Sequence, residues 1–252
     1  VITSDRRLGP DVVTVTIDRP ANRNALSTPV VEELVAHLEA AVSDAAARAI
    51  VLTATGGTFC AGADLKNPPD ARFPEVFERL LDVLTTCSQV VIARVAGHVR
   101  AGGIGLVAAS DIAICAQEAT FAFSEVRVGV VPAFVAVLAT RSMSARPLRE
   151  FVLTGRRFSA EEARSSGLVT DVVDLDALDA RVETLVDELR ATDPSAVGRA
   201  KKLLTELPEL SVRDGYELVS RTSAAQFASP TARAAQREFV EGRAAADRLG
   251  GT

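Results

Sequence analysis

The sequence predicts an α/β core followed by a helical C-terminal region. Three observations carry this. Short β-branched segments alternate with segments of helical spacing through the first half of the chain. Two glycine-rich turns, at 55–63 and 101–105, each follow a strand-like run. Beyond about residue 134 the strand signals largely stop and helix-start signatures take over.

In chain order, DVVTVTID (11–18) has period-2 apolar positions and reads as a strand. RPANRNALS (19–27) reads as a loop. TPVVEELVAHLEAAVSD (28–44) has helical spacing, a threonine before Pro29 and acids placed for a first turn. RAIVLTA (48–54) is a buried strand leading into the first glycine turn. The three prolines of NPPDARFP (67–74) call for a loop, and 75–88 reads as a helix. QVVIARVA (89–96) and SDIAICA (110–116) read as strands, with GHVRAGGIGLVAA (97–109) between them. A short helix over 103–110 would begin at Ala101-Gly102-Gly103. Later, FSAEEARSSG (158–167) opens on the capping-box pair Ser159 and Glu162 and closes at Gly167. Asp193-Pro194 and Ser229-Pro230 are N-cap and first-turn pairs. The expected division is a core over 1–192 and a helical region over 193–252 that serves assembly, the two forming a single structural unit.

At 48% hydrophobic and 24% charged, the 252 residues suit a soluble globular protein. A net charge of −5 gives no reason to expect nucleic acid or a membrane surface. The opening residues, VITSDRRLGPDVV, lack the apolar stretch of a signal peptide. Cys60, Cys87 and Cys115 have no CxxC spacing and read as free thiols of a cytoplasmic protein. With only His37 and His98, widely separated, no zinc cluster is expected.

The two glycine turns allow a chemical reading. Backbone N–H groups at a helix start have no intrahelical partner, and the helix dipole there favours negative charge. A second donor from Ala61-Gly62-Ala63 would complete a pair aimed at one point, an oxyanion hole. Two structural turns without a ligand are the alternative. A dinucleotide site fits less well, because GGIG lacks the GxGxxG spacing and the acid that should follow.

FCAGADL (59–65), AGGIGLVAASDIAI (101–114) and TFAFSEVRVGVVP (120–132) together resemble the crotonase superfamily of enoyl-CoA hydratases and isomerases. TIDRPANRNALS (16–27) resembles that family's coenzyme A loop, and LTGRRFSAEEARSSGLV (153–169) its segment after the core. The resemblance covers nearly the whole chain in order and spacing. It implies a crotonase-like spiral of stacked ββα turns, C-terminal helices that make trimers or dimers of trimers, an acyl-CoA thioester as substrate, and no cofactor or metal. It implies that Ala63 and Gly102 give their backbone N–H groups to the thioester oxygen, and that Glu125 is the retained catalytic glutamate. The family's other glutamate place is held by Gly105, which groups the chain with single-glutamate members.

Arg23, Ala25, Ala61, Asp64, Leu65, Gly103, Gly105 and Phe134 are the remaining substrate-contact candidates. Arg23 reads either as a contact to a coenzyme A phosphate or as a surface arginine. Asp64 reads as a loop-fixing acid before a catalytic one, and Lys66 as a nucleotide contact or a solvated lysine. His98 and Arg100 read as packed or ion-paired residues. For Glu125 the alternative is a structural acid paired with Arg127. Three activities fit: hydration of a 2-enoyl-CoA with Glu125 as the lone acid and base, Δ3,Δ2-enoyl-CoA isomerisation, or acyl-CoA binding without catalysis.

Overall fold

The first strand, β1 (Ile2–Asp5), runs antiparallel to β2 (Val12–Ile17), which begins a sheet otherwise built from parallel pairs. The computed structural model describes residues 1–249, which divide into one unit over Val1–Ala191 and a second from Thr192 onward. After β2 comes helix α1 (Thr28–Ser43). The chain then repeats one pattern three times. A long strand enters the large sheet, a three-residue strand enters a second sheet, and a helix follows. The first turn of this spiral is β3 (Ala49–Ala54), β4 (Thr58–Cys60) and α2 (Phe73–Thr86). The second is β5 (Val90–Val95), β6 (His98–Arg100) and α3 (Gly102–Ala109). The third is β7 (Ile112–Ala116), β8 (Thr120–Ala122), a 3-10 turn over Ser124–Val128, and α4 (Ala133–Ser142). Helix α5 (Ala145–Thr154), β9 (Phe158–Ser159), α6 (Ala160–Ser166), β10 (Asp171–Val173) and α7 (Leu178–Arg190) complete the unit. The large sheet has the order β1-β2-β3-β5-β7-β10 and the small one β4-β6-β8-β9. The second unit contains α8 (Pro194–Glu206), α9 (Val212–Ala228) and α10 (Pro230–Leu249).

Alternation explains the core. In the small sheet Phe59, Val99, Phe121 and Phe158 turn inward and are at most 2% exposed. His98, Arg100, Thr120 and Ser159 are more exposed. Phe158 stacks on Phe151 with ring centroids 3.9 Å apart, which fixes α5 to this sheet. Leu34 and Leu38 of α1, and Leu80 and Leu84 of α2, are fully buried in the same core.

Local sequence signals explain several boundaries and correct others. Ser159 and Glu162 form the expected capping box, and Gly167 closes α6 at φ +92°. Asp193 caps α8 by accepting from the Ala196 N–H. Ser229 accepts from the Ala232 N–H at the start of α10. Helix α1 starts one residue earlier than its threonine suggested. Ser27 is the N-cap, while Thr28 is occupied elsewhere, donating its hydroxyl to Asp70 at 3.0 Å. No acid lies in the first turn of α1, contrary to expectation. Helix α2 takes in Phe73 and Pro74, assigned to a loop from sequence; a proline in the first turn loses no helical hydrogen bond. Strands β9 and β10 lie beyond residue 134, where no strand was expected, and both are short.

The loop before α1 is held by a side chain the sequence reading passed over. Asn24 is fully buried, with φ +53°. It accepts from the Arg19 N–H at 2.8 Å and donates to the carbonyls of Thr55 and Thr58 at 2.9 and 2.6 Å. One amide thereby ties the 19–26 loop to the β3–β4 turn. Asn24→Ala takes the amide away from one N–H and two carbonyls that are half-buried, and should cost about 2 kcal/mol. Urea unfolding of the variant measures this; a loss under about 1 kcal/mol would mean that water replaces the amide.

Candidate active site

The turn after β4 runs beside the Arg23–Leu26 segment, and most of its donors are used there. The Ala61 N–H goes to the Arg23 carbonyl at 3.1 Å, and the Asp64 N–H to the Leu26 carbonyl at 2.9 Å. The Gly62 carbonyl accepts from Leu26 at 2.8 Å. Gly62 itself sits at φ +83° and gives its N–H to the Cys60 sulfur at 3.4 Å. Burial pushes the Cys60 thiol up to about 12, so this sulfur stays neutral. Within residues 61–64 only the Ala63 N–H has no acceptor among the described residues.

The second turn meets the first. Gly102 is the first residue of α3, where an N–H has no intrahelical acceptor. Ala101 before it is held at φ +48°, a conformation that costs a non-glycine residue on the order of 1–3 kcal/mol. Its N–H is pinned to the Ala122 carbonyl at 3.0 Å and its carbonyl accepts from Ile104 at 2.8 Å. A Cβ on Gly62 would lie 2.5 Å from the Ala101 methyl and 3.4 Å from the Gly102 nitrogen. The two turns are therefore in direct contact, and Gly62 has to be bare for that contact to exist.

Strand pairing places the acid. Strands β6 and β8 are parallel, with Arg100 opposite Ala122, so the chain leaves both at the same end of the small sheet. One exit is the start of α3; the other is the 3-10 turn that carries Glu125. The Glu125 carbonyl accepts from the Gly129 and Val130 N–H groups, which fixes the backbone. Its Oε2 is buried without a hydrogen-bond partner, and the side chain enters no ion pair among the described residues. The alternative pairing with Arg127 is therefore absent. Burial raises the Glu125 carboxyl above its ordinary range.

Two unpaired backbone donors beside an uncompensated carboxyl suit proton transfer next to a carbonyl whose oxygen gains charge. Comparison with known proteins agrees with that chemistry. The model of the enoyl-CoA hydratase/isomerase family matches residues 8–246. The chain belongs to the enoyl-CoA hydratase/isomerase family. An enoyl-CoA hydratase of Mycobacterium tuberculosis is 32% identical over 242 residues, 91% of this chain and 90% of its own length. A carnitinyl-CoA dehydratase of Proteus mirabilis is also 32% identical, over 215 residues and 82% of each chain. The crystal structure of an enoyl-CoA hydratase of Mycobacterium smegmatis superposes with a TM-score of 0.89 at 32% identity, covering 96% of each chain. The spiral described above is thus the crotonase fold.

Within that family frame the other candidate residues divide by role. Asp64 is buried and accepts from the Lys66 and Asn67 N–H groups at 3.0 and 3.1 Å, which hold it ionised below its usual range. It fixes the loop. Gly103 packs against the end of β4, since a Cβ there would lie 2.7 Å from the Cys60 Cβ. Arg100 forms no ion pair among the described residues; it donates to the carbonyls of Val99 and Thr120 and to the Thr120 hydroxyl, bracing β6 against β8. His98 shares that hydroxyl at 3.1 Å. Arg23 and Leu65 are exposed and Ala25 is buried. Phe134 packs edge-on against Phe77, with centroids 5.8 Å apart. Phe77, Leu81 and Val135, which no sequence motif singled out, surround Gly105.

The raised Glu125 carboxyl has a consequence for stability. Its pKa is higher in the folded than in the unfolded chain, so its favourable contribution is complete below the unfolded value of about 4.3 and is lost as pH rises through the folded value. Glu125→Gln removes the penalty of burying a charge. Its melting temperature should exceed that of the wild type at pH 7, and the gap should narrow as pH falls towards 4. Equal melting curves at both pH values would mean the carboxylate is solvated in the native state.

Proposed function

We propose that the protein adds water across the double bond of a 2-enoyl-CoA thioester. The observation that carries this reading is the buried, unpartnered Oε2 of Glu125, on the turn that leaves the small sheet at the same end as the start of α3. In the proposed reaction the thioester oxygen accepts the Ala63 and Gly102 N–H groups. The Glu125 carboxylate takes a proton from water as the water oxygen bonds to C3. The electrons of the C2–C3 double bond move to the carbonyl oxygen, giving an enolate held by the two donors. Glu125 then returns its proton to C2, so both the hydrogen and the hydroxyl come from one water. No metal or cofactor enters these steps. Arg23, at the surface of the loop that carries Ala25, suits a phosphate of the coenzyme A moiety.

Glycine at position 105 carries no proton, which leaves Glu125 as the one acid in this reading. One base also suffices for isomerisation, in which Glu125 would carry a proton between C4 and C2. The test separates the two. Short 2-enoyl-CoA substrates should lose their conjugated absorbance and gain the mass of one water. Glu125→Gln should lower kcat by about 1,000-fold with little change in affinity for a saturated acyl-CoA. Gly102→Pro, which deletes one donor, should cost about 100-fold. Conjugated product formed from a 3-enoyl-CoA, without hydration, would reassign the protein as an isomerase. Full turnover by Glu125→Gln would move the proton to another residue.

We also propose that the second unit assembles the chain into a trimer or a pair of trimers. Leu204, Leu210, Val212, Tyr216 and Phe227 are each at least 40% exposed, an unusual apolar load for a unit of three helices. Light scattering should give three or six chain masses; a monomer would overturn this.

A further inference from the structure

Ala101 holds a backbone conformation that ordinarily belongs to glycine, with φ +48° and ψ −123°. This is the region of the first central residue of a type II′ turn, which glycine adopts without steric cost. Two hydrogen bonds keep the backbone there. The Ala101 N–H goes to the Ala122 carbonyl at 3.0 Å, and its carbonyl accepts from the Ile104 N–H at 2.8 Å. Neither uses the side chain, so the same backbone bonds are open to glycine. What alanine adds is a methyl group and the strain that comes with it. Helix propensity does not account for it, because Ala101 precedes the first residue of α3. Nor does core packing, because Ala101 is only half-buried.

The methyl rests on the other glycine turn. A Cβ added to Gly62 would lie 2.5 Å from it, so it fills the space directly against the Gly62 Cα. A converse contact accompanies this one. A Cβ added to Gly103 would lie 2.7 Å from the Cys60 Cβ and 3.1 Å from its sulfur. Each turn thus seats one small side chain on a glycine of the other. Gly62 immediately precedes Ala63, and Ala101 immediately precedes Gly102. The Ala101 methyl therefore joins the two residues from which the two free N–H groups follow.

We propose that Ala101 is a positioning residue, whose methyl group, set against Gly62, holds the Ala63 and Gly102 N–H groups at the separation one thioester oxygen requires. This rests on reading those two groups as the thioester site. Glycine at position 101 would relieve the strain but leave two bare residues facing each other, free to shift. A ground-state carbonyl tolerates loosely placed donors better than an enolate oxygen, which carries more charge. Misplacement therefore lowers kcat before it weakens binding.

The test uses Ala101→Gly, which removes methyl and strain together, and Ala101→Ser, which keeps the Cβ. Isotope-labelled butanoyl-CoA is saturated and not turned over, and its carbonyl stretch reports donor placement by infrared difference spectroscopy. On the wild type this band should shift to lower frequency. Ala101→Gly should melt no lower than the wild type, since relief of strain offsets the added freedom of an unfolded glycine. Its band shift should shrink, and its kcat on a short 2-enoyl-CoA should fall about 10-fold, part of the roughly 100-fold that loss of a whole donor costs. Calorimetry should give butanoyl-CoA nearly the same affinity for both. Ala101→Ser should keep the wild-type band and rate. A wild-type band and kcat in Ala101→Gly, or equal losses in Ala101→Ser, overturns the proposal. So does a fall in melting temperature that accompanies the loss of rate in Ala101→Gly, which would mark ordinary packing. A wild type that binds butanoyl-CoA without shifting its carbonyl band overturns the thioester site as well.

Discussion

Everything around the site serves to leave two backbone N–H groups unpaired. An N–H without a partner is unfavourable unless water or a ligand meets it, and Ala63 and Gly102 are only half-buried. The two are kept free by pairing their neighbours. Ala61, Gly62 and Asp64 each have an acceptor, so the turn cannot relax to satisfy Ala63. Ala101 is tied to Ala122 and Ile104, so the start of α3 cannot rotate to satisfy Gly102. The spiral makes this possible. Each turn delivers a short strand to the small sheet and then a loop or helix start at one end of it. Donors and acid thus come from three successive turns that the fold stacks side by side.

Much of this was legible in the sequence, and the gaps have physical causes. The strands of the large sheet are five or six residues long where β3, β5 and β7 lie, and their β-branched runs identify them. Strands β4, β6 and β8 have three residues each, too few for a period to register, so the small sheet was visible only through the family resemblance. The glycine turns marked the donors because bare backbone is a local property. Asn24 was invisible because the two carbonyls it donates to are 31 and 34 residues away. Phe77, Leu81 and Val135 read as ordinary core positions, and all three lie in the hydrophobic core.

Several features of the site lower stability, and they sit together. Glu125 has a buried carboxylate oxygen without a partner, Ala101 is strained, and Gly105 gives up helix propensity although a Cβ there would meet only ordinary contacts. Each taken alone is an oddity of the kind that folding selects against. Their concentration at one end of one small sheet is better explained by a ligand, because functional sites are where local rules are broken without local compensation. Gly103 and Gly62 are the useful contrast. They too are bare, but for them contact with Cys60 or Ala101 suffices as the reason.

Relatives of equal identity carry different activity names, a hydratase and a dehydratase of different acyl groups, so overall similarity cannot assign the substrate. The charges in the site restrict the chemistry further. With one acid, the proposed cycle never places two negative charges together. As Glu125 gains a proton it becomes neutral, and the negative charge appears on the thioester oxygen, at the N-terminus of α3 where the dipole favours it. Returning the proton to C2 reverses the transfer. In the proposed cycle a single charge thus moves between Glu125 and a thioester oxygen held by the Ala63 and Gly102 N–H groups, and glycine at position 105 adds no second charge to it.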